Sequence, residues 1–258
     1  MNPTNIDAVV RPEYDAFAWT YHRRWGFEYH AQLLPILERL VLDRLPEGAA
    51  ILDLCCGAGR VSHSLVERGF AVTGIDISPE MVGYARELVP EGTFEVQDAR
   101  EFGLADRFDV VISVFESLNH IMDTADLALV FDTVRRHLQP GGLFVFDLNR
   151  EPAYRKFWNL HHVISDEDHV CALRSRFRED ARIGECDVTV FRMDAEEIWQ
   201  RSDTTITQRC HDIDRVRGLL EETGFDDVRL FDSRDDLGMR GDAAEARTFF
   251  CARARSMI

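Results

Sequence analysis

One short stretch constrains this chain more than any other, the sequence ILDLCCGAGR at Ile51–Arg60. An apolar run that contains a single acid, Asp53, leads into a Gly-x-Gly turn at Gly57–Gly59, and a helical pattern follows. A second apolar run then ends in Asp76. A strand, a glycine turn, a helix and a second strand ending in an acid are typical of a parallel α/β sheet that binds an adenosine nucleoside at the carboxyl ends of its strands.

The residues around the turn indicate which kind of adenosine ligand the site binds. Ser62 stands where the dinucleotide fingerprint G-x-G-x-x-G has its third glycine, which lets the helix pack close beneath a pyrophosphate. No lysine follows the turn, and Lys156 is the only lysine of the chain, so a phosphate-binding P-loop is excluded. The pattern therefore favours an adenosine ligand other than a dinucleotide or a nucleoside triphosphate.

Length and composition indicate a globular enzyme-sized domain. The chain has 258 residues, of which 45% are hydrophobic and 29% charged, as in ordinary soluble proteins. A net charge of −16 argues against nucleic acid as a partner, because a phosphate-backbone binder needs a basic face. We find no secretory leader pattern at the start, no C-x-x-C pair among the cysteines and no apolar run near the ~18 residues of a membrane span. We therefore expect a cytoplasmic protein with reduced thiols and no membrane partner.

Helical and strand-like patterns alternate up to Asn149. A helical segment is predicted over Tyr14–Leu45, Ser78 followed by proline predicts a helix start, and Gln139–Gly142 predicts a helix stop. The predicted strands are Ala50–Leu54, Ala71–Ile75, Thr93–Val96, Asp109–Val114 and Leu143–Asp147, and the predicted helices between them are Arg60–Arg68, Pro79–Leu88 and Leu127–Leu138. This alternation favours a parallel sheet that is covered on both faces.

After Asn149 the pattern changes to a period of two. Residues Trp158–Arg209 alternate polar and apolar positions, which predicts a small antiparallel extension between strand five and the next helix. A helix at Ile213–Thr223 and strands at Val228–Phe231 and Thr248–Arg253 complete the prediction. We interpret the chain as a single domain, 1–258, with a helical N-terminal lid over 1–45 and an inserted antiparallel β cap over 155–209.

The segments LDLCCGAG, GIDIS, VQDAREF, FDVVISVFESLNH, LQPGGLFVFDLN and LLEETGFDDVRLF together resemble the class I S-adenosylmethionine-dependent methyltransferases. The resemblance runs in register over Tyr14–Asn149 and resumes from Ile213. It implies a Rossmann-like α/β fold, a seven-stranded, mostly parallel sheet with helices on both faces and an antiparallel last strand. The opening YDAFAWTY and the sheet-like insertion are most similar to small-molecule N-methyltransferases that act on amino sugars or amino acids.

The resemblance implies that S-adenosylmethionine is the cofactor and that the turn binds it. Gly57 and Gly59 would let the backbone approach the cofactor, Asp53 would meet its ammonium group, and Asp76 would accept both ribose hydroxyls. Cys55 stands where the family often has glycine, so we expect a negative φ there. The remaining implied cofactor contacts are Tyr14, Ile77, Met81, Asp98, Ala99 and Phe115, with Ile77 and Met81 covering the adenine and Asp98 and the Ala99 amide bonding to its edge.

The loop after strand four, Phe115–His120, is where the family places its substrate-facing residues. His120 would act as a base or orient the acceptor, and Glu116 would hold an ammonium or hydroxyl group. Tyr21 matches the family's second lid tyrosine and would close over the methyl group. These three residues are the predicted catalytic set.

The predicted function is methyl transfer from S-adenosylmethionine to a small-molecule acceptor, with an amine nitrogen favoured because it needs no base once unprotonated. One alternative is O-methylation of a phenol or carboxylate with His120 as base, and another is a non-catalytic protein that binds the cofactor. No metal site is predicted, because His161, His162, Asp166 and His169 fit no standard zinc or magnesium spacing. The cap strands would form the outer wall of the substrate pocket or an oligomer contact, which leaves a homodimer open.

Overall fold

The computed structural model describes residues 13–25 and 27–255, and within them the strands form one large and one small sheet. In chain order the strands are β1 (Ala50–Leu54), β2 (Ala71–Asp76), β3 (Thr93–Val96), β4 (Phe108–Ser113), β5 (Leu138–Asn149), β6 (His161–Ser165), β7 (His169–Arg178), β8 (Ile183–Met193), β9 (Trp199–Arg209), β10 (Phe225–Asp232) and β11 (Arg247–Ala254). The large sheet has the order β10-β11-β5-β4-β1-β2-β3, and the small sheet the order β6-β7-β8-β9.

Strand directions in the large sheet confirm the predicted fold class. β1 to β5 pair with one another in parallel, whereas β11 runs antiparallel to both of its neighbours, β5 and β10. The sheet therefore has seven strands in the described part of the chain, and the last of them is antiparallel, as the resemblance implied.

Helices cover both faces of this sheet. They are α1 (Ala18–Arg24), α2 (Phe27–Leu40), α3 (Arg60–Val66), α4 (Pro79–Leu88), α5 (Thr124–His137), α6 (Glu151–Phe157) and α7 (Ile213–Glu222), with short 3-10 turns at Leu42–Arg44, Ser117–His120 and Asp242–Ala244. Successive residues of a strand point to opposite faces, so Leu52 packs in one buried cluster with α5 and α7, and Ile51 in a second one with α2. Both clusters are fully enclosed, which explains the near-continuous apolar strands of the sequence.

The predicted helix stop at Gln139–Gly142 is confirmed, but the predicted start of strand five at Leu143 is wrong. α5 ends at His137 and β5 begins at once with Leu138, so these residues belong to the strand. Leu138 pairs with Phe108, and the register then shifts before Val110 pairs with Leu143. This irregularity absorbs the Pro-Gly-Gly residues, because a bulge tolerates chain that cannot continue a regular ladder.

The small sheet confirms the antiparallel extension that the period-two pattern predicts after strand five. It does not follow strand five directly, however, because the short helix α6, which begins with Glu151 and Pro152, lies between them. Proline is favoured in a first helical turn, and this signal was overlooked. One face of the sheet, with Leu173, Val188 and Ile206, packs on Phe17 of the N-terminal segment.

The described N-terminal segment starts with a turn at 13–17, and α1 and α2 follow in place of the single long helix predicted from Tyr14. Residues 1–12 of the predicted lid, and residues 256–258 of the predicted domain, lie outside the described residues. The division into one domain with a lid and a cap stays a prediction. No helix of the described residues is long and apolar enough to cross a membrane. In the same part of the chain, no group of three or more His, Cys, Asp or Glu residues could hold a metal ion.

Candidate active site

A tight turn after β1 forms the floor of the candidate site. A Cβ atom on Gly59 would lie 3.0 Å from the Cα of Ala85, so this glycine allows the turn to contact α4 closely. The negative φ predicted for Cys55 is wrong, since its φ is +62°. The next residue, Cys56, already donates its N–H to the Ile75 carbonyl (3.0 Å), and the chain must reverse sharply to reach it. A left-handed residue with a side chain costs about 1–3 kcal/mol and is typically found at ligand sites.

Asp76 ends β2 and ties the turn to the start of α4. Its Oδ2 accepts a hydrogen bond from the Gly57 N–H at 2.9 Å, and its Oδ1 accepts one from the Ser78 N–H at 2.9 Å. Burial raises the pKa of the Asp76 carboxyl, and these two hydrogen bonds oppose the rise. Its carboxylate is thus fixed at the carboxyl edge of the sheet, where open α/β sheets bind their ligands.

Asp53 is a second buried carboxylate beneath the same turn. Its side chain accepts a hydrogen bond from the Ser62 hydroxyl at 2.6 Å, and the residue is only 2% exposed. Burial raises the pKa of Asp53 to about 6, the bond from Ser62 opposes this, and the charge of Asp76 adds to the rise. Two carboxylates close enough for Asp76 to raise the pKa of Asp53 make the floor electronegative, which suits a ligand with positive charge.

The residues predicted to surround an adenine do not share one environment. Met81 is buried against Ala18 and Ala58, whereas Ile77 is 52% exposed. Asp98 is paired with Arg100, whose Nη2 lies 2.6 Å from its Oδ2, and this contact lowers the pKa of Asp98. Ala99 follows in a buried position. The Asp98 carboxylate therefore already has a strong partner, and its contact with an adenine stays a prediction.

The N-terminal segment reaches three parts of the site with three consecutive residues. The Glu13 carboxylate accepts from the backbone N–H of Thr207 on β9 at 3.0 Å. The Tyr14 hydroxyl lies 3.1 Å from Nε2 of His120, and Asp15 accepts from the Ser78 hydroxyl at 2.6 Å. This segment thus bridges the cap, the loop after β4 and the start of α4.

The lid tyrosines Tyr14 and Tyr21 lie between the floor of the site and the loop after β4. The Tyr21 ring packs edge-on against Tyr14 at 5.8 Å and against Phe115 at 6.1 Å. Burial raises the pKa of both phenols, and the charges of Glu116 and Asp76 raise it further. Both phenols are thus near Asp76 at the end of β2 and near Glu116 in the loop after β4, so the two tyrosines lie between these parts of the site.

The loop after β4 contains two strained residues. Phe115 has a φ of +67° and Glu116 a φ of +48°, although both have bulky side chains. Their backbone N–H groups donate to the Tyr29 hydroxyl (3.1 Å) and to the Asp147 carboxylate (3.2 Å), respectively. Left-handed residues of this kind persist only where their surroundings hold them, so Tyr29 and Asp147 fix the shape of this loop.

Arg247 joins this loop to the sheet through a buried ion cluster. Its guanidinium pairs with the carboxylates of Glu116 and Asp147 and lies 4.6 Å from the centre of the Tyr29 ring. Arg247 is 5% exposed and Asp147 is fully buried. Burial raises the pKa of Glu116, and Arg247 opposes this rise. Glu116, predicted to hold the acceptor, is thus already engaged by an arginine that sequence analysis missed.

His120 ends the loop in a defined protonation state. Its Nδ1 lies 2.8 Å from the Thr207 carbonyl, an acceptor only, so Nδ1 carries the proton. Its Nε2 therefore presents a lone pair to the Tyr14 hydroxyl and the Gln208 amide, each 3.1 Å away. Burial lowers the pKa of His120 to about 4, and the bond to Thr207 offsets part of this. His120 is thus a neutral hydrogen-bond acceptor and a weak base.

Comparison with known proteins identifies the family to which this chain belongs. A family model described as a methyltransferase domain matches residues 51–142. The protein named "Putative methyltransferase YqeM" from Bacillus subtilis (strain 168) is 30% identical over 218 residues, which cover 83% of this chain and 87% of that protein. The chain belongs to the S-adenosylmethionine-dependent methyltransferases. Its cofactor is accordingly S-adenosylmethionine, as the sequence resemblance implied.

Other methyltransferases resemble this one over different lengths. The dTDP-3-amino-3,4,6-trideoxy-alpha-D-glucopyranose N,N-dimethyltransferase of Streptomyces venezuelae is 33% identical over 123 residues, which span 47% of this chain and 51% of that enzyme. The sugar N-methyltransferase KedS8 from Streptoalloteichus has the same fold, with a TM-score of 0.73 at 22% identity over 94% of this chain and 93% of that one. The structural likeness thus extends well beyond the part similar in sequence.

The residues of the methyltransferase site fit the cofactor that the family uses. S-adenosylmethionine carries a positive sulfonium and a positive ammonium group, and the floor of the site holds the buried carboxylate of Asp53 and the half-buried carboxylate of Asp76. A Cβ on Gly57 would meet no atom within 4 Å, so the turn leaves space beside Asp76. Opposite charges with this degree of burial stabilise one another, so the donor set and the ligand are complementary.

The structure brings most of the predicted site residues together and separates a few. Tyr14, Tyr21, Phe115 and His120 are linked by direct contacts, and Glu116 adjoins Phe115 in the same loop. The predicted turn residues Asp53, Cys55, Gly57, Gly59 and Asp76 form the floor. Ile77 and Asp98 lie toward solvent at the edge. Sequence reasoning missed Arg247, Asp147, Tyr29 and Gln208, and the position of Asp147 near the carboxyl end of β5 was the one signal that could have pointed to this group.

Proposed function

We propose that this methyltransferase transfers a methyl group to the amine nitrogen of a small molecule of the amino-sugar class. The observation that carries the proposal is the protonation state of His120 in the loop Phe115–His120, called the acceptor-side loop from here on. With a pKa of about 4, its imidazole is neutral near pH 7 and accepts hydrogen bonds at Nε2. A neutral amine donates N–H to such an acceptor and keeps its lone pair free for the methyl carbon.

Several roles in cofactor binding follow from the geometry of the floor. In this proposal Asp76 accepts the ribose hydroxyls, and Asp53 meets the ammonium group of the cofactor. The turn residues Cys55, Gly57 and Gly59 pass beneath the cofactor, and Ile77, Met81, Asp98 and Ala99 surround its adenine. When bound, the cofactor supplies a methyl carbon that is electrophilic because it is attached to a positive sulfur.

The lid and the loop then prepare the acceptor. Tyr14 and Tyr21 exclude water from the space between the two ligands, which strengthens electrostatic interactions there. His120 orients the amine through Nε2, and the carboxylates of Glu116 and Asp147, balanced by the single guanidinium of Arg247, leave this side negative. A negative wall stabilises the positive charge that a neutral amine nitrogen gains as its lone pair bonds to the methyl carbon and the bond from that carbon to sulfur breaks.

The low pKa of His120 favours an amine over a phenol as the acceptor. A phenol has an ordinary pKa of about 10, and a base with a pKa of about 4 would remove its proton at an unfavourable difference of about 6 units. At about 1.4 kcal/mol per unit this amounts to about 8 kcal/mol. The alternative with His120 as base for a phenol is therefore disfavoured. The relatives from Streptomyces venezuelae and Streptoalloteichus, named as amino-sugar and sugar N-methyltransferases, support the same choice.

A paired-substrate assay tests the proposal. We would incubate the protein with methyl-labelled S-adenosylmethionine and either dTDP-3-amino-3,4,6-trideoxy-glucose, the acceptor class of the Streptomyces venezuelae relative, or its 3-hydroxy counterpart. Label should appear on the amino sugar and not on the hydroxy sugar. Equally efficient transfer to the hydroxy sugar would overturn the assignment. Labelling of phenols in a screen where all amines stay unlabelled would overturn it as well. Light scattering and fractionation would test the homodimer and the cytoplasmic location, which stay predictions.

A further inference from the structure

A chain of buried polar side chains connects the cap to the acceptor-side loop. The Tyr154 hydroxyl of α6 lies 3.1 Å from Oε1 of Gln208, and Nε2 of Gln208 lies 3.1 Å from Nε2 of His120. Gln208 is 4% exposed and Tyr154 is fully buried. The Tyr14 hydroxyl of the lid approaches the same nitrogen of His120. Lid, loop and cap therefore meet at one imidazole.

The positions of the protons in this chain follow from the groups at its ends. The Thr207 carbonyl can only accept, which places the His120 proton on Nδ1 and a lone pair on Nε2. The Gln208 amide must then face Nε2 with its NH2 group, because its oxygen would repel the lone pair. Its oxygen in turn accepts from Tyr154. The Tyr154 hydroxyl also lies 3.2 Å from the Arg209 carbonyl, a second acceptor on β9. The imidazole is thus held on both of its nitrogens by β9.

Two donors converge on the single lone pair of His120. The Gln208 amide and the Tyr14 hydroxyl are equally distant, at 3.1 Å. Tyr14 belongs to the N-terminal segment, whereas Gln208 lies on β9 next to Thr207, the other partner of the ring. If the Tyr14 hydroxyl gives way to an acceptor N–H, the imidazole keeps its orientation and is never left without a donor.

We propose that Gln208 is a positioning residue that holds His120 with its Nε2 lone pair toward the methyl acceptor. This inference rests on the proposed function, in which that lone pair accepts the N–H of an amine. Gln208 acts through His120 and does not touch the reacting atoms. The cap then takes part in catalysis indirectly, because β9 supplies Thr207 and Gln208, which both hold the ring.

Two substitutions separate positioning from simple packing. Gln208→Glu replaces the NH2 group with a carboxylate, which would draw a proton to Nε2 and favour a charged imidazole. Gln208→Met keeps the volume and removes the donor. Gln200→Met, on the same strand with an exposed side chain, is the matched control.

The first measurement needs no acceptor. In protein with 15N-labelled histidine, two-bond nitrogen spectra report the tautomer of His120, assigned with a His120→Asn variant. We expect the Nδ1–H form in the wild type, and in Gln208→Glu an upward shift of the titration midpoint by about 2 pH units. A midpoint that stays the same in Gln208→Glu as in the wild type and Gln200→Met would overturn the proposal.

The second measurement uses the amino-sugar nucleotide of the paired assay. Gln208→Met should lower kcat/KM for this acceptor about tenfold, the effect of one lost hydrogen bond, with unchanged affinity for the cofactor. If Gln208→Met is folded and its kcat/KM is unchanged, a positioning role is contradicted. If the wild type methylates no amine, the proposed function fails, and the histidine titration alone still decides whether Gln208 holds His120.

Discussion

Replacing Arg247 by methionine should destabilise this methyltransferase more than any other exchange of an arginine on the same strand. Arg247 bridges the buried carboxylate of Asp147 and the half-buried carboxylate of Glu116, and methionine keeps part of its volume without its charge. The two carboxylates would then face each other in a medium that solvates them poorly. The strained backbone at Glu116 would also lose the guanidinium that holds its side chain.

The size of the effect follows from the burial of the cluster. Removing one partner of a buried, hydrogen-bonded ion pair costs about 3–5 kcal/mol, because an uncompensated charge is left behind. A natural domain has a free energy of unfolding of about 5–15 kcal/mol, so this loss is a large share of the total. Arg253→Met is the control, because this arginine is exposed on the same strand and donates to the Gly141 carbonyl. We expect it to cost about 0.5 kcal/mol or less.

Urea unfolding followed by circular dichroism would measure both variants. A double variant, Arg247→Met with Glu116→Gln, removes one of the unpaired charges and should recover about 1–3 kcal/mol of the loss. The reasoning is refuted if Arg247→Met unfolds at the same urea concentration as Arg253→Met, with the same slope. It is also refuted if Glu116→Gln adds to the loss of stability.

Two further predictions concern the floor of the site. Asp53 has a folded pKa of about 6 against an ordinary value of 3.8, so its contribution to stability is complete below about pH 4 and is lost as the pH rises through 6. Asp53→Asn can still accept from Ser62 and should therefore raise the free energy of unfolding by about 3 kcal/mol at pH 7. At pH 4 it should hardly change it. Equal stability of the variant and the wild type at pH 7 would contradict this prediction. Asp76→Ala should abolish binding of S-adenosylmethionine in calorimetry with the fold retained, and affinity equal to that of the exposed control Asp106→Ala would show that Asp76 is not a cofactor contact.

Short-range patterns were enough to predict the floor of the site. Asp53, Gly57, Gly59 and Asp76 lie within one strand–turn–helix–strand unit, where the positions of glycines and acids follow directly from local geometry. Cys55 was the exception, because a residue with a Cβ rarely takes a positive φ. Its conformation depends on the hydrogen bond of the next residue to β2, which no local rule contains.

The acceptor side depends on contacts between distant parts of the chain. Glu116, Asp147 and Arg247 meet only because β4, β5 and β11 are neighbours in the sheet, and their separation in sequence hides this. From the sequence, the Glu116 carboxylate is predicted to bind the substrate, because its ion pair with Arg247 is visible only in the fold. Gln208 likewise lay unnoticed in an alternating polar strand, since the period of two does not tell which polar residue faces a histidine.

Glu13, Tyr14 and Asp15 are consecutive, yet each is bonded to a different part of the molecule. Neighbouring Cα atoms are about 3.8 Å apart, so none of these contacts can open far without disturbing the other two. A shift of Asp15 at the cofactor end is therefore transmitted to the loop that carries His120 and to β9. Two ligands that share such a tether influence each other's affinity by the same factor in both directions. We therefore expect the affinities for cofactor and acceptor to be coupled through the tripeptide Glu13–Asp15.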